Sequence, residues 1–156
     1  MRHPLNIRAV RMIFATVLVL TATQPARAEL DRILGEVTIA TSPGCTSIRI
    51  GFDVPILYLR HFPYESGETL LVFVRPLGSG PQGPAIAFQR ETASIPPSEF
   101  TGLSEIMFEG DAPAGAYLSI TFTRRLSFDV RQGRDYRSID VFVSDPGASQ
   151  PCQPDL

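Results

Sequence analysis

The chain has 156 residues, no tryptophan, 14 basic against 16 acidic side chains and a net charge of −2, a length that suits one domain with a core of its own. All the cationic side chains apart from the two histidines are arginines, and four of them precede residue 29 while every acid follows residue 28, so residues 29–156 carry ten arginines against sixteen acids, a charge of −6. That balance excludes general nucleic-acid binding, which needs a basic surface to neutralise phosphates.

The chain opens on a segment that reads as a signal peptide over residues 1–28. Arg2, Arg8 and Arg11 form a positive n-region, Met12 to Thr23 is apolar, and Ala26-Arg27-Ala28 supplies the small-x-small pattern of a cleavage site behind Pro25. The apolar run of about 12 residues is short of the roughly 17 to 25 that a spanning helix requires, so no membrane span is expected after cleavage. Glu29 rather than cysteine follows the site, which argues against a lipid anchor. Together with the absence of lysine and the single asparagine in the leader, these features point to a bacterial protein, periplasmic or secreted, with residues 29–156 as one β-domain.

The two cysteines, Cys45 and Cys152, are expected to pair in an oxidising compartment and to staple a proline-containing tail, from residue 144 onward, to the body. No C-x-x-C pattern suggests redox chemistry.

From Glu36 onward apolar residues recur at a period of two, and no window of helical length carries a helical stripe. Val37 and Ile39 open the pattern; Ile48, Ile50 and Phe52 alternate with Ser47, Arg49 and Gly51; Ile56 to Arg60 follows a turn at Asp53-Val54-Pro55. Thr69 to Val74 is apolar on both faces and is expected to be central and covered on both, or to be half of an interface. A loop at Gly78–Pro84 precedes strands at Ala85 to Arg90, Leu103 to Glu109, Tyr117 to Thr123, Leu126 to Arg131 and Ser138 to Val143, with one capped helical turn expected near Ser98. This spacing predicts an all-β protein, an Ig-like β-sandwich or a small barrel, with about six to nine mostly antiparallel strands.

Few routes to catalysis are open. After residue 28 the only histidine is His61, so neither a His-rich metal site nor a two-histidine relay is available, and no cofactor or metal is expected. Ser79 lacks the glycines of a nucleophile elbow. Glu65 with Glu68, and Glu105 with Glu109, are the candidate carboxylate pairs for a small hydrolase of cell-wall glycan; the second pair shares the solvated face of its strand with Met107. No catalytic residue is assigned.

A binding surface is the better expectation. Arg124, Arg125, Arg131, Arg134 and Arg137 stand against Asp129 and Asp135 in a C-terminal hairpin, either as a site for an anionic group or as a solvated face with cross-strand Arg–Asp pairs. Phe73, Tyr117 and Phe142 fall on faces predicted to be wet, where a covering layer or a partner must shield them.

The runs Tyr58-Leu59-Arg60-His61-Phe62-Pro63, Gly67, Val72-Phe73-Val74-Arg75-Pro76-Leu77 and Gly133-Arg134-Asp135-Tyr136-Arg137-Ser138-Ile139 resemble the N-terminal β-domain of exported proteobacterial tetratricopeptide-repeat proteins. That domain is loosely similar to the AMIN domains of envelope proteins. The likeness spans about residues 36–143, although no helical repeats follow them here. It implies a β-sandwich for binding, localisation or scaffolding in the envelope, with an envelope protein or peptidoglycan as partner and no catalytic residues. It also implies that His61 anchors a turn through bonds to backbone.

Overall fold

The computed structural model describes residues 32–77, 89–145 and 152. The expected leader, the loop at Gly78–Pro84, the expected strand from Ala85 except Gln89 and Arg90, and the tail except Ser144, Asp145 and Cys152 lie outside the described residues. Within them the chain is all β, with eight strands: β1 (Leu34–Ser42), β2 (Cys45–Phe52), β3 (Ile56–Phe62), β4 (Ser66–Pro76), β5 (Arg90–Thr92), β6 (Leu103–Glu109), β7 (Tyr117–Gln132) and β8 (Ser138–Ser144). All neighbours pair antiparallel.

The period-two pattern sets which face each strand buries. In β2, Thr46, Ile48, Ile50 and Phe52 are buried while Ser47 and Arg49 look out, and in β4 Leu70, Val72 and Val74 are buried while Leu71 and Phe73 are partly exposed. These side chains join Ile106, Phe108, Leu118, Ile120, Ile139 and Val141 in one core, where each large apolar side chain contributes about 1.5–3 kcal/mol. β4 lies inside the sheet, between β3 and β7, but it is buried on one face only, since Leu71 and Phe73 on the other stay partly exposed.

Two expectations are corrected. Tyr117 to Thr123 and Leu126 to Arg131 belong to a single strand, β7, so the C-terminal hairpin is β7 with β8. The segment around Ser98 makes no helical turn: its hydroxyl donates to the Phe100 carbonyl at 3.2 Å, a local bond that competes with helix.

The long β7 belongs to two layers. Its first half pairs β4 on one side and β6 on the other, whereas its second half pairs β8, which continues to β2 and β1. Ser127 marks the crossing, since it pairs Ser66 of β4 and Ser144 of β8. The result is a sandwich of β3-β4-β7-β6-β5 over β1-β2-β8-β7, with one strand in common.

Side chains close both seams. On one side the Gln132 amide accepts from the Tyr58 N–H and donates to the Ile56 carbonyl, each at 2.9 Å, bonding β3 as a strand would. On the other, Glu91 accepts the Ile33 and Leu34 N–H groups at 2.9 and 3.2 Å and the Arg32 guanidinium at 2.9 Å, fixing the start of β1 to β5. Cys45 and Cys152 are disulfide-bonded, as expected, with Cα atoms 5.0 Å apart.

Candidate binding surface

The most exposed apolar group sits where β3 turns into β4. Turns normally carry Gly, Asn, Asp or Ser, but this one reads His61-Phe62-Pro63-Tyr64-Glu65, with a cis Phe62–Pro63 bond. A register shift between Tyr58 and Arg60 brings Tyr58 and His61 together, and the Tyr58 hydroxyl lies 2.7 Å from His61 Nδ1. His61 Nε2 lies 3.2 Å from the Tyr64 carbonyl oxygen, which can only accept, so Nε2 carries a hydrogen, and in that tautomer Nδ1 accepts the Tyr58 hydroxyl. Burial foremost, with Asp129 adding to it, pushes the Tyr58 phenol above its ordinary pKa and keeps that donor protonated. The Phe128 N–H bonds the Glu65 carbonyl at 3.0 Å and fastens the turn to β7.

This clamp holds two rings in solvent. Phe62 is 60% and Tyr64 69% exposed, with their ring centroids 6.4 Å apart, and the exposed Leu59 lies on the same hairpin. Fixing the turn backbone that carries them lowers the entropy that a partner must overcome.

The turn continues into the outer face of the β3-β4-β7-β6-β5 layer. Phe62, Leu71, Ser119, Met107 and Thr92 lie opposite one another across its five strands. The adjacent row is Arg60, Phe73, Tyr117, Glu109 and Arg90. Here the Arg60 guanidinium lies 4.6 Å from the Phe73 ring centroid, Phe73 and Tyr117 are 5.7 Å apart, and Arg90 meets Glu109 at 3.1 Å. Phe73 and Tyr117 are therefore shielded by neighbours on their own sheet and stay partly exposed. Phe142 differs: it is 7% exposed on the other layer, with Arg131 5.3 Å from its ring centroid.

The arginines expected to form a surface are dispersed. Arg124 pairs with Asp145 at 2.9 Å, and Arg125 reaches Ser66 Oγ at 3.5 Å. Arg131 binds Asp129, two residues before it on the same strand. Arg137 donates to the Asp53 carbonyl at 2.7 Å, while Arg134 is exposed in the β7–β8 turn. Arg124 and Arg131 are seven residues apart along β7, about 23 Å. The cross-strand Arg–Asp pair lies elsewhere, between Arg49 of β2 and Asp140 of β8, with bonds of 2.7 and 3.2 Å.

The carboxylates do not converge on a cleft. Glu105 and Glu109 share the outward face of β6 with Met107, opposite buried Ile106 and Phe108, and Glu65 and Glu68 are exposed beside the aromatic turn. An open recess of about 460 Å³ beside the start of β1 carries Glu36, Asp53 and Arg32, all exposed. Among the described residues no group of three or more His, Cys, Asp or Glu side chains is placed to hold a metal ion, and no helix is long and apolar enough to cross a membrane.

Sequence reasoning singled out Phe73 and its neighbours but passed over Phe62 and Tyr64. The available signal was three consecutive apolar residues, Phe62, Pro63 and Tyr64, in a turn between two strands. No protein-family model, curated protein or solved structure matches this chain.

Proposed function

We propose that the protein is a non-enzymatic exported β-domain of the bacterial cell envelope, and that it binds through the aromatic turn and the sheet face behind it. The observation that carries this reading is the pair of exposed rings, Phe62 and Tyr64, on a turn whose backbone is bonded through Tyr58 and His61 to the Tyr64 carbonyl. Phe62 lies opposite Leu71, and Phe73 opposite Tyr117, on the same sheet face. Rigid aromatic rings supply large contact area at low entropic cost and are the residues on which binding energy concentrates. The leader-like residues 1–28 and the disulfide are compatible with an oxidising compartment.

The test is retention of the protein on purified peptidoglycan sacculi, and capture of envelope proteins from a periplasmic extract, by the wild type and by Phe62→Ala/Tyr64→Ala. Exposed aromatic anchors commonly contribute 2 kcal/mol or more, so the double variant should bind at least about tenfold more weakly while unfolding at the same denaturant concentration. Equal retention of the two proteins would remove the turn from the binding site. Arg125→Ala/Arg134→Ala, at arginines without an ion pair among the described residues, should change retention little.

A further inference from the structure

The far edge of β1 from Val37 to Ser42 has no partner strand among the described residues. We infer that this edge pairs antiparallel with the same edge of a second copy of the chain, about a two-fold axis through Ile39. Which backbone groups face the edge follows from the ladder. The Phe52 N–H bonds Arg137 on the β8 side, so even-numbered residues of β2 face β8 and odd-numbered ones face β1. Through the register Thr38↔Arg49, Ala40↔Ser47 and Ser42↔Cys45, residues 38, 40 and 42 bond β2, which leaves the N–H and C=O of Val37, Ile39 and Thr41 directed away from the sheet.

Other edges are guarded and this one is not. β3 is bulged, carries Arg60 and is clasped by Gln132. β5 has three residues, and the start of β1 is held by Glu91 and bulged before Val37. Val37-Thr38-Ile39-Ala40-Thr41-Ser42 has no charge, no proline and four β-branched residues, where natural edges usually place a lysine, a proline or a bulge.

The same segment is self-complementary. A two-fold through Ile39 opposes Val37 to the partner's Thr41 and Ile39 to the partner's Ile39, so all three outward-facing residues pair at once. A register two residues to either side pairs fewer, because the bulge interrupts β1 before Val37 and the strand ends at Ser42, ahead of Pro43. Ile39, which packs against the core yet stays partly exposed, would be covered by its mate. Glu36, the one ionisable side chain of β1, would face the partner's Ser42 rather than a second acid, with the two Glu36 carboxylates about 20 Å apart.

Sedimentation of the protein purified after export, over a wide concentration range, should show an about twofold rise in apparent mass. Thr41→Pro, which removes an outward N–H and leaves the β2 ladder intact, should move that transition at least about tenfold higher in concentration. Amide hydrogen exchange gives a residue-level readout: Val37, Ile39 and Thr41 should gain protection on concentration, while Thr38, Ala40 and Ser42 stay protected throughout. A monomer at all concentrations overturns the inference. So does a dimer in which the three amides still exchange freely, or protection of those amides even in dilute monomer, which would place a segment of the same chain on the edge.

Discussion

The primary amide of Gln132 occupies the place that a further strand would take beside β3, accepting from Tyr58 and donating to Ile56 at 2.9 Å each. An apolar replacement of similar size leaves one backbone donor and one acceptor of a half-buried strand without partners. Gln132→Leu should therefore lower the unfolding free energy by about 1–3 kcal/mol, measured by denaturant titration; a loss below about 0.5 kcal/mol would mean that water replaces the clasp at no cost. Sequence reading had no access to this residue, because an amide near the end of a strand resembles any solvated polar side chain. Its partners are 74 and 76 residues away. His61 was legible only through the residues around it, and the structure does place its ring on a backbone carbonyl in a turn.

At the scale of elements, β7 explains where strand boundaries misled. Thr123, Arg124 and Arg125 are three exposed residues in a row between buried Phe122 and Leu126, which in a sequence reads as a turn. The chain in fact stays extended there while it leaves one layer for the other, and during the crossing no single sheet dictates the alternation. The strands that remain within one layer, such as β2, β6 and β8, were placed within a residue or two of their limits; β2 keeps a period of two, whereas β8 is buried on both faces.

The turn after β7 depends on one carboxylate. Asp135 Oδ1 accepts the Arg137 N–H at 2.8 Å and the Ser138 hydroxyl at 2.9 Å, and Tyr136 between them has φ 55°. The Arg137 N–H foremost, then the Ser138 hydroxyl and Arg49, hold the Asp135 carboxyl below the usual carboxylate range. A depressed folded pKa adds stability that is present above the unfolded value, near pH 4, and is lost as pH falls through the folded one. Asp135→Ala should thus cost about 1 kcal/mol at neutral pH, a modest figure because the carboxylate is solvated. The gap between wild type and variant should close as the pH is lowered below about 4. Urea titrations from neutral to acid pH measure both, and a gap independent of pH would show that the carboxylate's charge plays no part.

For the whole molecule, the Cys45–Cys152 bond spans 107 residues and ties a position beyond the last strand to the start of β2. Constraining so long a loop in the unfolded chain gives Cys45→Ser/Cys152→Ser an expected loss of about 2–5 kcal/mol in unfolding free energy, matched by the wild type in reductant. A difference under about 1 kcal/mol would show that the native state recovers in relaxation what the unfolded state gains. The pairing was legible because two cysteines have one way to join. The binding surface was legible only in part: the rows that set Phe62 beside Leu71 and Arg60 beside Phe73 depend on registers fixed by bulges, which period-two patterns do not reveal.

The strand order also sets a timetable. β2 lies between β1 and β8, so the first hairpin of the chain stays half of a sheet until the last strand arrives. When the polypeptide emerges from its N-terminus, on a ribosome or through a membrane pore, the β3-β4-β7-β6-β5 layer is complete once β7 is out. The layer that begins earliest closes latest, with Ser138–Ser144 as its final piece. Such late, long-range closure leaves the β1–β2 hairpin as the portion most in need of protection while it waits.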